Sequence, residues 1–150
     1  MRVVIQRVKY ASVEVEGKVV AIIKKGLLIL VGIEDADIDT DIEWIAKKIV
    51  TLRIFDDEKG IPNLSVNDVN AEILLVSQFT LHASTKKGNR PSYIKASKGI
   101  IAAPIFEKLC AAVQSDCHTN IKRGVFGAHM DVAMLNDGPV TIIMDSKNKE

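Results

Sequence analysis

Two apolar runs constrain the fold of this 150-residue chain more than any other feature of its sequence. The first covers residues 27–33, and the second is Ile73–Val76, at the centre of a longer strand candidate over residues 71–81. A short, continuously apolar run is typical of a β-strand that is covered on both faces. The chain is therefore expected to build a sheet with other elements packed against it.

Further strands are predicted from their β-branched residues and from the turn residues between them. They cover residues 1–10, 12–15, 19–23 and 53–55, and a final hairpin-like pair covers residues 130–135 and 140–144. The hairpin rests on the cluster Asn136–Thr141, in which Asn, Asp, Gly and Pro all favour turns.

Two helices are predicted to pack on this sheet. Thr40–Glu43 has the form of a capping box, so the first helix should begin there and end near Leu52. The second should run from about Ala102 to Ser115, with Pro104 accepted in its first turn. Since no repeat and no linker divides the chain, we predict a single α+β domain over residues 1–150. It would have a mixed, mostly antiparallel and barrel-like β-sheet with two packing helices, and residues 146–150 would form a flexible tail.

The composition, with 47% hydrophobic and 26% charged residues, is typical of a soluble globular protein. No apolar run reaches the ~20 residues that span a bilayer, and the N-terminus has no signal-peptide pattern, so a cytoplasmic location is expected. Cys110 and Cys117 lie seven residues apart in a region of helical pattern, which is too far apart for a disulfide within one regular helix. No Cys or His spacing indicates a metal, and neither a metal nor another cofactor is expected.

Two segments could carry function. Residues 73–106 contain no acidic residue, although five basic residues fall among them: Lys86, Lys87, Arg90, Lys95 and Lys98. Such a segment could attract phosphates, or it could be a solvated loop. Ser77, Gln78 and Thr80 end the second apolar strand; they could stabilise an oxyanion, or they could satisfy the last hydrogen bonds of the strand.

Four motifs then match one family in order. These are Ser77–Leu81, Lys87–Ser92, Gly124–Ala128 and Asn136–Thr141, and the opening Met1–Val8 fits as well. Together they resemble the D-aminoacyl-tRNA deacylases over residues 1 to about 145.

The resemblance implies a homodimer that hydrolyses the ester of D-aminoacyl-tRNA, and of glycine mischarged on tRNA(Ala), and that excludes L-amino acids. It implies a catalytic pocket at the terminal adenosine, a Gly–cis-Pro filter donated by the partner subunit, residues that support this filter, and basic residues that bind tRNA. The corresponding positions here are Ser77, Gln78, Phe79 and Thr80 for the pocket, Gly138 and Pro139 for the filter, Arg7, Asn136 and Thr141 for its support, and Lys86, Lys87 and Arg90 for tRNA.

Two mechanisms remain open for that reaction. Water could attack with help from the ribose 2′-hydroxyl while the Phe79 N–H stabilises the oxyanion, or Thr80 could act as the nucleophile. Three positions, His82, Tyr93 and His129, depart from the family pattern and leave substrate preference and pH dependence open. The alternative function is a homodimer that binds nucleic acid without catalysis.

Overall fold

Eight strands and two α-helices build the fold in the computed structural model, which describes residues 1–150. The strands are β1 (Arg2–Val15), β2 (Lys18–Ile23), β3 (Gly26–Gly32), β4 (Phe55–Asp56), β5 (Pro62–Leu64), β6 (Glu72–Ser77), β7 (Lys122–Arg123) and β8 (Asp131–Asp145). The helices are α1 (Asp39–Thr51) and α2 (Gly99–Asp116), with a 3-10 helix at Phe79–His82. Neither α-helix is long and apolar enough to cross a membrane.

The six-stranded main sheet is mixed, as predicted. Its order is β2-β1-β3-β6-β7, and β8 pairs with β1. All three pairings of β1 are antiparallel, whereas the β3–β6 and β6–β7 pairings are parallel. Residues 2–8 of β1 pair with β3 and residues 11–15 pair with β2, so β1 bends and the sheet nearly closes. The prediction of an α+β domain with a mixed sheet and two helices is confirmed.

The main core lies between this sheet and the two helices. Ile45 of α1 and Phe106 of α2 are buried in a cluster of 23 apolar residues together with Ile29 of β3. Leu28, the neighbour of Ile29, belongs to a second cluster of eight residues. Successive side chains of a strand point to opposite faces, so β3 is covered on both sides, as its apolar run predicted.

The predicted hairpin at residues 130–144 is wrong. Residues 131–145 form one strand, β8, which pairs with β1 along almost its whole length. The cluster at residues 136–141 interrupts that pairing without reversing the chain. The predicted strands at residues 1–10 and 12–15 are likewise one strand, β1.

Three other boundaries differ from their predictions. Helix α1 begins at Asp39, and its capping carboxylate is Asp41, which accepts the Ile38 N–H at 2.9 Å. Helix α2 begins at Gly99, so Pro104 lies inside the helix and not in its first turn. The strand predicted over residues 71–81 ends at residue 77, where the backbone turns into the 3-10 helix.

A buried ionic network closes the fold at its chain ends. The Met1 ammonium donates to the buried Asp37 carboxylate and, at 2.9 Å, to the Ser146 hydroxyl. Lys147 donates to Asp41 at 2.6 Å. Burial by itself would raise the pKa of Asp41, but the hydrogen bonds from Lys147 and from the Ile38 N–H outweigh it and hold this pKa at about 2.

Candidate functional site

The 3-10 helix at Phe79–His82 is held against the end of β3. The Gln78 N–H donates to the Val31 carbonyl at 2.7 Å, and the chain then turns. Gly32 permits this close approach, because a Cβ atom there would lie 2.9 Å from the Leu81 Cβ. The four residues of the predicted catalytic pocket therefore lie on one turn, fixed to the sheet.

This turn presents both side-chain and backbone polar groups. Gln78 Nε2 donates to Thr80 Oγ1 at 2.6 Å, and no His or carboxylate contacts the Thr80 hydroxyl. The first N–H groups of a helix have no partner within the helix, which leaves the N–H groups of Phe79 and Thr80 free to bind a ligand atom. Phe79 itself is 56% exposed, so its ring is open to a ligand.

A cavity of about 570 Å³ opens beside this turn. Ser77, Gln78 and Phe79 form one wall, and the other walls come from the ends of β3 and β6, the start of α2, and the segment that leads into β8. The lining residues outside the turn are Val31, Ile33, Val76, Ser97, Gly99, Ala102, Phe126, Gly127, Ala128, His129, Met130 and Val132. Thr80 lies on the same turn but does not line this cavity.

Most of the residues that form these walls were not predicted as site residues from the sequence. The motif Gly124–Ala128, which carried part of the family resemblance, was the available signal for Phe126 and its neighbours. Ser97 and Gly99 have no comparable motif. Helix α2 begins at this cavity and has no acidic residue in its first turn, so the helix dipole adds a partial positive charge there.

Gly138 and Pro139 lie elsewhere, on a wide bulge of β8. Gln6 pairs with Thr141 and Val8 pairs with Asn136, so one residue of β1 faces the four residues 137–140 of β8. The Gly138–Pro139 peptide bond is cis, and Gly138 has a φ of +134°, which favours glycine. Both residues are exposed at the tip of the bulge.

Arg7 holds this bulge from beneath. Its side chain is buried; Nε donates to the Asp137 carbonyl at 3.0 Å, and Nη1 donates to the Ile54 carbonyl at 2.7 Å. Asn136 accepts the Val140 N–H at 3.0 Å, which closes the bulge. Asn136 and Thr141 both donate to the Gln6 side chain. The structure thus brings together the three residues predicted to support Gly138 and Pro139.

Within one chain the bulge and the cavity are separate. Ser77 pairs with Val31 and Val31 pairs with Val3, whereas Arg7 pairs with Leu27. Four residues along a strand correspond to about 13 Å. Neither Gly138 nor Pro139 lines the cavity.

The other predicted positions lie around this centre. Lys86, Lys87 and Arg90 are exposed on the loop that follows the 3-10 helix, and none of them lines the cavity. His82 is buried, with its ring near Gly32 and its Nε2 atom unpaired. The exposed His129 lies at the cavity rim, with its Nε2 atom 3.6 Å from Asp131. No group of three or more His, Cys, Asp or Glu side chains is placed to hold a metal ion.

Comparisons with known proteins agree with these motifs. The family model described as D-Tyr-tRNA(Tyr) deacylase matches residues 4–145. A relative from Flavobacterium psychrophilum named D-aminoacyl-tRNA deacylase is 59% identical over 150 residues, which is the whole of both chains. Among solved structures, one named c-Myc DNA Unwinding Element Binding Protein is 39% identical with a TM-score of 0.92, covering 97% of this chain and 98% of the other.

A second structure, described as a probable eukaryotic D-amino acid tRNA deacylase, has a TM-score of 0.82, covering 95% of this chain and 97% of the other. At 16% identity it shows a common fold only. The family model and the full-length relative confirm the family that the four sequence motifs indicated. The chain therefore belongs to the D-aminoacyl-tRNA deacylases, a family of hydrolases.

Proposed function

We propose that this chain hydrolyses the ester bond of D-aminoacyl-tRNA and releases the free D-amino acid and tRNA. The observation that carries this proposal is the turn Ser77–Thr80, which places a polar strand end and free backbone N–H groups at the rim of a cavity large enough for a nucleoside. Membership of the deacylase family and the full-length relative of that name support it.

Catalysis requires that the charge on the carbonyl oxygen be stabilised. In the proposed step, the oxygen of water bonds to the ester carbonyl carbon, and the Phe79 N–H donates to the oxyanion that forms. The bond to the ribose 3′-oxygen then breaks, and that oxygen takes the proton that the attacking water gives up. The ribose 2′-hydroxyl of the substrate assists the transfer of this proton.

Thr80 is the weaker candidate for the attacking group. A threonine hydroxyl needs a neighbouring base to act as a nucleophile. In the structure its one side-chain partner is the Gln78 amide, which donates to it and cannot accept its proton. The arrangement therefore favours water over Thr80.

The complete site would need two chains. Gly138 and Pro139 stand exposed on their bulge, about 13 Å along the strand from the residues that lead into the cavity. Four large apolar residues of β8 are exposed as well: Val132, Met134, Leu135 and Ile143. An exposed apolar strand of this length is suited to covering by a second copy. A homodimer would insert each bulge into the cavity of its partner.

Inserted in this way, the bulge would select the chirality of the amino acid. Its backbone carbonyls would face the α-carbon of the aminoacyl group, so the side chain of an L-amino acid would collide with them. A D side chain would point away, so a wide range of D-amino acids should be accepted. Glycine has no side chain to exclude, and glycine on tRNA(Ala) should therefore also be hydrolysed. The exposed Lys86, Lys87 and Arg90 would bind tRNA phosphates, and the enzyme would act in the cytoplasm.

One assay tests the reaction and its chirality together. The protein is incubated with the same tRNA charged with D-tyrosine, L-tyrosine or glycine, and loss of the ester is followed. Hydrolysis of the D-tyrosyl and glycyl esters with the L-tyrosyl ester intact is expected; hydrolysis of none of the three would refute the proposal. Near-normal turnover by Thr80→Ala would exclude the nucleophile role, whereas loss in Thr80→Ala with recovery in Thr80→Ser would favour it.

Mixed dimers test whether the filter acts in trans. A Pro139→Gly chain should hydrolyse the L-ester as well as the D-ester, and a Gln78→Ala chain should hydrolyse neither. In a mixed dimer, the intact pocket of the Pro139→Gly chain receives the intact bulge of the Gln78→Ala chain. An excess of Gln78→Ala should therefore suppress hydrolysis of the L-ester and keep that of the D-ester. Unchanged hydrolysis of the L-ester would show that the filter acts in cis.

A non-catalytic nucleic-acid-binding homodimer is the second candidate. It is favoured by the exposed basic loop and by the name of the similar DNA unwinding element binding protein. That function predicts salt-sensitive binding to nucleic acid without an aminoacyl group, together with no ester hydrolysis. Detectable D-specific hydrolysis would decide against it.

A further inference from the structure

An exposed pair of aromatic rings lies beside the cavity: Phe79 lines the cavity, and Tyr93 contacts Phe79 without lining it. The ring centroids of Phe79 and Tyr93 lie 5.1 Å apart, and the ring planes meet at 76°. The side chain of Tyr93 is 40% exposed, and that of Phe79 is more exposed still. Edge-to-face aromatic pairs usually stabilise buried regions, so an exposed pair beside a cavity offers two aromatic faces to a ligand.

Tyr93 is held in position by the backbone on both sides of it. Ser84 and Ser92 exchange N–H···O hydrogen bonds of 2.8 and 2.9 Å. The Ser97 N–H donates to the Ile33 carbonyl at 2.9 Å, which fixes the following segment to the end of β3. The backbone that carries Tyr93 is therefore fixed beside Phe79 before any ligand binds, and this lowers the entropic cost of binding.

The chain segment that carries this pair is basic. No acidic residue occurs in residues 73–106, and Lys95 and Lys98 are exposed in the segment that follows Tyr93. Lys98 lies between Ser97 and Gly99, both of which line the cavity. Aromatic faces combined with a basic strip are the features by which proteins bind single-stranded nucleic acid.

We infer that Tyr93 stacks on the base of the nucleotide immediately 5′ of the terminal adenosine, and that Lys95 and Lys98 contact the phosphates of this single-stranded end. The inference rests on the proposed function, which places the terminal adenosine in the cavity beside Phe79. Because the two rings are nearly perpendicular, the terminal nucleotide and its neighbour would bind to separate faces, unstacked from each other.

Two substrates that carry the same ester test this inference. One is D-tyrosyl-tRNA and the other is D-tyrosyl-adenosine, which has no preceding nucleotide. For Tyr93→Leu, the ratio of kcat/KM on the tRNA ester to kcat/KM on the adenosine ester should fall about tenfold, the scale of one base–aromatic stack. Tyr93→Phe keeps an aromatic face and should retain the ratio of the original protein. The D-tyrosyl ester of a dinucleotide ending in adenosine should behave like the tRNA ester.

The outcomes separate this inference from the proposed function. If Tyr93→Leu lowers kcat/KM equally on both esters, Tyr93 acts only by supporting Phe79, and the inference is wrong. An unchanged kcat/KM on both esters also overturns it. If the original protein hydrolyses neither ester, the proposed function itself fails.

The contact of Lys98 with a phosphate is tested by the salt dependence of the reaction. Lys98→Gln should reduce the slope of log kcat/KM against log salt on the tRNA ester by about 0.7, as expected for one lost phosphate contact. An unchanged slope would show that Lys98 does not contact a phosphate there.

Discussion

Replacing Arg7 by methionine should destabilise the chain and release the bulge that carries Gly138 and Pro139. Arg7 is buried, at 7% exposure, and its guanidinium donates hydrogen bonds to two backbone carbonyls, those of Asp137 and Ile54. Methionine would keep much of the apolar packing of the arginine stem but would donate to neither carbonyl. A buried acceptor without its donor costs about 1–3 kcal/mol, so the loss of both donors in Arg7→Met should cost roughly 2–6 kcal/mol of unfolding free energy.

Lysine at this position separates charge from geometry. An ammonium keeps the positive charge near Asp56 and Asp137, but it lacks the planar fork that lets one guanidinium reach two carbonyls. Arg7→Lys should therefore recover part of the stability lost in Arg7→Met. It should still show weaker discrimination between D- and L-aminoacyl-tRNA, because one ammonium cannot hold the Asp137 carbonyl of the bulge against the Ile54 carbonyl as the guanidinium does.

Urea denaturation at pH 7 and the paired D- and L-ester assays measure these effects, and Arg53→Met is the matched control. Arg53 also donates to a backbone carbonyl, that of Asn63 at 2.7 Å, but it is exposed. Its replacement should change the unfolding free energy by only about 0.5 kcal/mol. If Arg7→Met lowers the unfolding free energy no more than Arg53→Met does, the two hydrogen bonds of Arg7 do not stabilise the fold as argued. Unaltered D/L discrimination in Arg7→Met would refute its role in holding the bulge.

Three further predictions concern stability and thiol chemistry. Because the pKa of Asp41 is held at about 2, its stabilisation is present above the unfolded pKa of about 4 and is lost as the pH falls through 2. The urea midpoints of the original protein and Asp41→Asn should thus differ at pH 7 and converge at pH 2; a constant difference would contradict this. Burial raises the pKa of Cys110 to about 11, so iodoacetamide at pH 8 should modify it only after unfolding, and mass spectrometry showing its modification in the folded protein would contradict this. Gly26→Ala would place a Cβ 2.0 Å from the Glu72 carbonyl oxygen and should cost more than about 4 kcal/mol, measured by thermal melting; a near-normal melting temperature would show that β3 and β6 can separate without loss.

The elements that could be predicted from the sequence are those whose pattern reflects their own surroundings. Residues 27–33 are apolar at every position because both faces of β3 are covered, by Ile29 in one cluster and Leu28 in the other. The helical spacing of Ile42, Ile45 and Ile49 likewise follows from the single face that α1 buries. In both cases the information is local, so a short window of sequence is enough.

The bulge on β8 could not be predicted in this way, because a hairpin turn and a wide bulge need the same residues. Gly and Pro at positions 138 and 139 satisfy either backbone path. What decides between them is that β8 pairs with β1, a partner about 130 residues earlier, on both sides of the interruption. The same pairing places Arg7 beneath the bulge and sets the bulge about 13 Å along the strand from the cavity. The two motifs that the sequence marks most strongly are thus kept apart within one chain by the register of one strand, and the proposed homodimer would bring them together.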